Sequence, residues 1–302
     1  MCYSALVQSG IRALERKLGV TVDPEWYVRT FCGPARKRPR AARAFELDVL
    51  EHGPPEAAAA IREWDAAEIA TLEQEIFRQR RRVANAERSL QGKATKKAQE
   101  DVRIGSAKVA QAKRRLEELK QPVAASTLGR IYPDYFCPVA VMEGGRRVVR
   151  PMRYRCRLPG WTEAVERKYP GTYNARRDNL GKSWGKVFGH AHGVVLATAF
   201  YEHVDRDGHD AVLEFKPGNG QDMIAACIWA RARDRDGHEF LTFAAVTDDP
   251  PAEVAAAGHD RCIIPIKPGH VDAWLQPDGD LAAMQAILDD RERPYYEHRL
   301  AA

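Results

Sequence analysis

The sequence of 302 residues predicts an α+β fold, in which a curled, barrel-like antiparallel β-sheet with flanking helices carries an inserted antiparallel helical hairpin. From Leu128 onward the chain is a series of short apolar segments with partial alternation, which is typical of strands. Residues 55–122 differ sharply, because their apolar residues recur every three or four positions, as in an amphipathic helix. We therefore divide the chain into an N-terminal part of the sheet domain, a helical hairpin and the main part of the sheet domain. These parts are residues 1–54, 55–122 and 123–302.

The N-terminal part begins with MCYS, which places a cysteine directly after the initiator methionine. If Met1 is removed, Cys2 carries a thiol and a free α-amine on adjacent carbons, and this pair closes a five-membered ring with an aldehyde. The position alone is also compatible with a cysteine that has no chemical role. A strand and then a helix from Ser9 to Leu18 are expected next. The segment Phe31–Phe45 is rich in Lys and Arg without an acidic residue, and it indicates either a solvated loop or a phosphate contact.

The second part predicts two long helices. Its apolar stripe is interrupted at Ser89–Thr95, where a glycine is expected to form a turn. The stripe is compatible with an intramolecular antiparallel hairpin or with a coiled-coil dimer. Residues 61–120 contain fifteen Lys/Arg against ten Asp/Glu. We interpret these charges first as a solvated face and second as a surface for a partner or DNA.

The main part predicts strands that end in polar motifs. These motifs are RCRLPGW (155–161), TYNARRDN (172–179), ATAFYEHV (197–204) and GHDRCIIPI (258–266). Each has an ordinary structural interpretation: Asn174 capping a turn, Glu202 pairing with an arginine, His259 binding a loop carbonyl, and Trp161 packing in the core. Two similar segments, DRDGHD and DRDGHE, are typical of hairpin loops.

The composition restricts the class of protein. The first ten residues lack the basic start and apolar stretch of a signal peptide, and no run of about twenty apolar residues predicts a membrane span. Six scattered cysteines without a CxxC pair favour neither a zinc ribbon nor a disulfide framework. We expect a cytoplasmic protein, associated with the nucleoid if it is bacterial. A net charge of +5 is compatible with a nucleic-acid partner without establishing one.

Taken together with Cys2, the polar motifs resemble the SRAP family, the SOS response-associated peptidase family of abasic-site DNA–protein crosslinkers. The resemblance covers roughly residues 1–20 and 128–280, and it includes IYPDYFCPVAV ahead of RLPGW. It has two departures. The family commonly begins MCGR, where this chain has Tyr3 and Ser4, and Asp178 stands where a glutamate often follows NAR. The helical hairpin lies outside the usual family core and is interpreted as an insertion.

The resemblance implies a set of functional residues around Cys2. Glu202 would move protons during imine formation, while His259 would assist opening of the sugar ring or hold its oxygen. Asn174 would orient Cys2 and the sugar. Arg176 would hold a flanking phosphate, and Trp161 would stack on a base or pack beside the site. Further phosphate contacts are implied for Arg155, Arg157, Arg177 and Arg261.

Three functions remain open at this point. The first is covalent capture of abasic sites in single-stranded DNA as a thiazolidine with Cys2. The second is an N-terminal-nucleophile (auto)peptidase that uses the same site, and the third is a non-catalytic nucleic-acid-binding adaptor. No metal or organic cofactor is expected, since His190 and His192 alone are a weak metal signal. The sequence leaves the oligomeric state open, and no membrane partner is expected.

Overall fold

The computed structural model describes residues 4–33, 38–92, 94–120, 129–206 and 208–301. Its strands are β1 Ser4–Val7, β2 Thr21–Val22, β3 Arg130–Ile131, β4 Phe136–Glu143, β5 Arg146–Tyr154, β6 Asn174–Arg176, β7 His192–Arg206, β8 His209–Pro217, β9 Met223–Arg233, β10 Glu239–Asp248, β11 Cys262–Ile263 and β12 Tyr296–Leu300. Its α-helices are α1 Ile11–Leu18, α2 Pro24–Cys32, α3 Arg43–His52, α4 Pro55–Gly92, α5 Lys96–Lys120, α6 Glu163–Lys168, α7 Ala252–Ala256, α8 Val271–Leu275 and α9 Leu281–Asp289.

Five strands close into a barrel inside the larger sheet. Strand β4 pairs with β5 and β7, β7 pairs with β9, and β9 pairs with β10, all in antiparallel orientation. The ring is completed by a parallel pairing of β10 with β5, where Thr242 lies opposite Arg153. The predicted α+β class with a barrel-like sheet is therefore confirmed, and the structure adds that the closing contact is parallel.

Alternate side chains of the barrel strands form two separate apolar layers. The inner layer takes side chains from all five strands, among them Val139, Met152, Val195, Cys227 and Phe243. The residues between them face outward and pack against helices and connecting segments. Members of this outer layer include Ala140, Ala244, Trp184, Phe188 and Trp274. The period-two alternation of the strands is thus satisfied on both faces, which explains why several of these segments are apolar almost throughout.

Gly193 lies where the barrel interior leaves no room for a side chain. A Cβ atom at this position would lie 2.9 Å from Cγ1 of Val139, 3.1 Å from the carbonyl oxygen of Ala140 and 3.1 Å from Sγ of Cys227. We expect Gly193→Ala to lower the free energy of unfolding by about 1–3 kcal/mol, because overpacking forces its neighbours to move. Chemical denaturation measures this change. The matched control is Gly181→Ala, whose Cβ would meet no described atom within 4 Å; equal stability of the two variants would contradict the prediction.

The predicted helical hairpin is present as α4 and α5. The two helices run antiparallel, as shown by ion pairs that join Arg115 to Glu68 near one end and Arg82 to Asp101 near the other. At 38 residues, α4 is about 57 Å long. Helix α4 packs on α5 of the same chain, as expected for the intramolecular hairpin.

The beginning of α4 is anchored on the sheet domain. Ala57 and Ile61 pack in a small core with side chains of α2 and α3, including Tyr27 and Phe45. An ion-pair network surrounds this core and joins Arg38, Arg43 and Arg115 to Glu46, Asp65 and Glu68. Two arginines of the basic segment Phe31–Phe45 are therefore engaged within the protein, while residues 34–37 lie outside the described residues. The boundaries of the three proposed parts stay a prediction.

Within the described ranges, no helix combines the length and apolar character needed to span a bilayer.

Candidate functional site

A buried carboxylate–imidazole pair joins two of the predicted site residues. Oε2 of Glu202 lies 3.0 Å from Nε2 of His259, and the two side chains are 0% and 6% exposed. Glu202 belongs to β7, whereas His259 belongs to the loop between α7 and β11. The structure thus brings together two residues that are far apart in the sequence.

A β-bulge sets the direction of the Glu202 side chain. Strand β1 pairs Leu6 with Ala199 but Val7 with Ala197, so Thr198 is an extra residue on β7. Before the bulge, Ala197 contributes to the inner layer of the barrel, and after it Phe200 and Val204 do so. Glu202 lies two positions from both Phe200 and Val204 along β7. Its side chain therefore points to the same face of the sheet as theirs. Without the extra residue, its carboxylate would point away from the barrel interior.

The contacts of His259 determine what the pair can do with a proton. Nδ1 lies 2.9 Å from the carbonyl oxygen of Arg261, which is shorter than the 3.3 Å from the Arg261 N–H to the same nitrogen. The hydrogen-bonding role of Nδ1 therefore depends on the tautomer of the ring. Nε2 faces the Glu202 carboxylate, so a proton on either group lies within reach of the other. A carboxylate and an imidazole in this contact can serve as an acid/base unit.

Asn174 lies on β6, at the same end of β10 as the loop that carries His259. Thr247 of β10 pairs with Arg176 on one side and with Ile263 on the other. Since neighbouring strands are about 4.8 Å apart, Arg176 and Ile263 lie roughly 10 Å from each other. The amide oxygen of Asn174 accepts a hydrogen bond of 3.4 Å from the Tyr154 hydroxyl, and Tyr154 belongs to the inner layer of the barrel.

Most of the arginines predicted to contact DNA have partners within the protein. Arg157 is buried, and its guanidinium donates to Glu166 at 2.6 Å and to the carbonyl of Arg233. Arg177 pairs with Asp248 and Asp289. A phosphate contact by either arginine would require these pairs to break, so their predicted role has little support from the geometry.

The remaining predicted DNA-contacting residues are more accessible. The side chain of Arg176 is 39% exposed, and its Nε donates to Asp178 at 2.9 Å. This contact raises the pKa of the arginine and lowers that of the aspartate. Arg155 lies 3.2 Å from Asp134, and Arg261 is partly buried. Trp161 is half-buried and its ring centroid lies 5.0 Å from that of Tyr169, which is largely exposed.

His192, one of the two histidines considered as a weak metal signal, has a structural role. His192 is buried, and this burial lowers its pKa to about 3. Its Nε2 accepts from the backbone N–H of Gly189, and its Nδ1 lies 3.1 Å from the carbonyl oxygen of Trp274. Both ring nitrogens of this neutral imidazole are therefore engaged by the protein.

Comparison with known proteins identifies the family. The model of the family described as SOS response associated peptidase (SRAP) matches residues 93–300, more than half of the chain. The chain belongs to the SRAP family. Membership supports a role in the response to DNA damage, with abasic sites and a nucleic-acid partner in general terms. The matched range begins after α4, so it includes neither position 2 nor the first helix of the hairpin.

Solved structures support the SRAP fold. A protein of Bordetella bronchiseptica has a TM-score of 0.50 and 18% identity to this chain, over 58% of this chain and 87% of its own. A protein of Bacteroides thetaiotaomicron has a TM-score of 0.49 and 16% identity, over 58% of this chain and 78% of its own. The first likeness concerns the fold alone. A search of curated proteins finds no match to the chain.

The SRAP motif at the N-terminus is only partly visible. Cys2, with Met1 and Tyr3, lies outside the described residues. The first described residue, Ser4, is fully buried and pairs with Tyr201, the neighbour of Glu202. The N-terminal strand is therefore adjacent to the strand that carries the buried carboxylate.

One residue beside this SRAP N-terminus was missed by the sequence analysis. Nε of Arg130 donates to Oγ of Ser4 at 3.0 Å, and its guanidinium lies 3.7 Å from the ring centroid of Tyr201 and 5.1 Å from that of Tyr132. It lines a cleft of about 520 Å³ that also includes Arg299. Arg130 thus provides a guanidinium next to position 4, where the usual motif has an arginine. No local pattern marks it, because the contact depends on the pairing of β1 with β3.

Proposed function

We propose that the protein recognises abasic sites in single-stranded DNA and binds them covalently through Cys2 after removal of Met1. The observation that carries the proposal is the buried Glu202–His259 pair, one residue along β7 from the position that pairs with Ser4. Ser4 follows Cys2 by two residues, and two residues of chain span at most about 7 Å. This limit supports the proposal that Cys2 and the acid/base pair act on the same sugar.

The proposed reaction needs only two nucleophiles and proton transfer. The α-amine of Cys2 adds to the open-chain aldehyde of the abasic sugar, and loss of water gives an imine. The thiol then adds across the C=N bond, its proton passes to the nitrogen, and the five-membered thiazolidine closes. Water is the by-product, so the reaction requires no oxidant or reductant. Holding both nucleophiles against one carbon provides the rate advantage of proximity.

The Glu202–His259 pair supplies what this reaction needs from the protein. The hydroxyl of the first adduct must be protonated to leave as water, and the amine must lose a proton. The pair is proposed to share one proton, and a pair that does so in a buried site can carry out both transfers in turn. Asn174 is proposed to orient the sugar from β6, while Arg176 and Trp161 are proposed to contact the flanking DNA. Arg155 and Arg261 are further proposed phosphate contacts.

The defining test uses purified protein and single-stranded DNA that carries one abasic site. We expect a DNA–protein adduct that survives denaturation, and no adduct with the same DNA without the lesion. Intact mass of the free protein should show that Met1 is absent. Failure of wild-type protein to form the adduct, with Met1 removed, would overturn the proposal. The peptidase alternative rests on the family description and would be favoured by Cys2-dependent cleavage of a peptide or of the protein itself.

Arg130 provides a separate prediction about binding. Arg130→Gln removes the guanidinium beside Ser4 and should weaken binding of lesion-free single-stranded DNA about tenfold, as expected for loss of a charged hydrogen bond. Fluorescence anisotropy at several salt concentrations measures the loss, and the slope against salt should fall by about 0.7. Arg130→Lys keeps the charge and should retain the slope. Unchanged affinity in the glutamine variant would exclude a phosphate contact at this position.

A further inference from the structure

The distal part of the helical hairpin, residues 78–108, accounts for the entire net positive charge of the protein. This segment has ten Lys/Arg and three Asp/Glu, a net charge of +7. The rest of the chain has 37 Lys/Arg and 39 Asp/Glu, so its formal charge is slightly negative. A charge difference of this size within one chain is typical of an element that binds a polyanion.

This segment extends away from the sheet domain. The ion-pair network that anchors α4 on α3 ends at Glu68. At 1.5 Å per residue, Arg78 lies about 15 Å beyond Glu68 along the helix, and Gly92 about 36 Å beyond it. The distal charges therefore lie beyond the part of α4 that is anchored on α2 and α3.

Several of the distal cations are not used in the packing of the hairpin. Arg82 pairs with Asp101, and Arg78 pairs with Glu75. Within the described ranges, no ion pair joins an acidic residue to the exposed side chains of Arg80, Arg81, Lys96 and Lys97. A polar groove of about 530 Å³ between the two helices is lined by cations of both helices. These are Arg78, Arg81, Arg82 and Lys97. Charge is thus concentrated on both sides of a groove at the surface.

An exposed aromatic ring accompanies these cations. Phe77 is 71% exposed, which makes it the most exposed large apolar residue in the ranges that the structure describes. Arg80 and Arg81 follow it by three and four positions, so all three side chains lie on the same side of α4. An exposed phenylalanine ring among arginines is suited to a surface on which unpaired bases stack.

We infer that the distal part of the hairpin is a second nucleic-acid-binding element, which holds single-stranded DNA through its phosphates and through stacking on Phe77. This inference goes beyond the chemistry proposed for Cys2 and does not depend on it. The distal segment spans about 20 Å along α4, which corresponds to roughly six nucleotides at 3.4 Å each. The element would hold the strand outside the lesion site, with no preference for sequence, because phosphates and ring faces are common to all nucleotides.

The test measures the affinity of the full-length protein for a lesion-free oligothymidylate of about 40 nucleotides over a range of salt concentrations. One variant replaces four cations by glutamine, which keeps the helix propensity. The four positions are Arg80, Arg81, Lys96 and Lys97. The matched control replaces four exposed cations of the sheet domain, namely Arg12, Arg16, Lys186 and Arg231.

We expect the hairpin variant to bind at least tenfold more weakly and its salt slope to fall by about 2–3, since each single-strand contact contributes about 0.7. The control variant should show smaller changes than the hairpin variant in both affinity and salt slope.

Two further measurements identify the partner. Phe77→Ala should weaken binding about fivefold, and Phe77→Leu should not restore it, because leucine is apolar but has no ring face. Duplex DNA of the same length should bind the wild type more weakly than the single strand. Equal affinity and equal salt slope of the hairpin variant and the control variant would overturn the inference, and tighter binding of the duplex would overturn the assignment to single strands.

The inference can fail independently of the proposed reaction. The hairpin variant should still form the covalent adduct with a saturating, short abasic oligonucleotide. Wild-type protein that forms no adduct would still be expected to bind lesion-free DNA more tightly than the hairpin variant. Circular dichroism of each variant verifies that the helices remain formed, so that a loss of affinity is not caused by unfolding.

Discussion

Cys2→Ala is expected to eliminate the denaturation-resistant adduct with abasic DNA while leaving an imine that borohydride can trap. After removal of Met1, alanine at position 2 still carries an α-amine, so addition to the aldehyde and loss of water remain possible. It has no thiol, so the five-membered ring cannot close and the imine hydrolyses. The wild type should show the opposite pattern, with an adduct that forms without borohydride. Denaturing electrophoresis with and without borohydride measures both outcomes.

Cys2→Ser is the matched control for this experiment. Its hydroxyl has the same position as the thiol but is a weaker nucleophile, so we expect less than about one hundredth of the wild-type adduct without borohydride. Intact mass must show the loss of Met1 in all three proteins, since a retained methionine blocks the amine. A stable adduct in the alanine variant, or trapping that is equally strong on DNA without a lesion, would show that the bond is made elsewhere in the chain.

The elements that the sequence predicted well are those with a local signal. The three-and-four spacing of apolar residues in 55–122 depends only on neighbours along the chain, and both helices of the hairpin are found. The barrel interior follows in the same way from alternation within β4 to β10. The closing contact of β10 with β5 could not be predicted, because Thr242 and Arg153 are far apart in the sequence and no pattern marks a parallel pairing.

The contact between two of the predicted site residues could not be inferred from the sequence. Glu202 and His259 were identified through motifs, while their contact depends on the bulge at Thr198 and on the loop after α7. Arg157 was predicted to contact phosphate because sequence cannot show that Glu166 folds against it. Arg130 was missed for the converse reason, since its partner Ser4 is 126 residues away. Side-chain contacts over such separations are set by the fold and are absent from any local pattern.

Glu202→Gln is expected to slow adduct formation by about 10²–10⁴-fold with little change in stability or DNA affinity. Glutamine has almost the same shape as glutamate and can still contact Nε2 of His259, so the buried site stays filled. It cannot hold the shared proton, so the hydroxyl of the first adduct leaves more slowly as water. Single-turnover rates with saturating abasic DNA measure the chemical step separately from binding. The matched control is Asp178→Asn, which neutralises an exposed carboxylate beside Arg176 and should change the rate less than about threefold.

The double variant Glu202→Gln/His259→Gln tests whether the two residues act as a unit. If they hold one proton between them, removing either partner already eliminates the transfer, and the second substitution should add little. The double variant should then form the adduct about as slowly as the slower single variant. Its fold loss of rate should be much smaller than the product of the two single-variant losses. Multiplicative losses would mean that His259 acts separately on the sugar, with the carboxylate as the sole proton carrier. A rate for Glu202→Gln within about threefold of the wild type would instead exclude the buried pair from the reaction, even if the adduct still depends on Cys2.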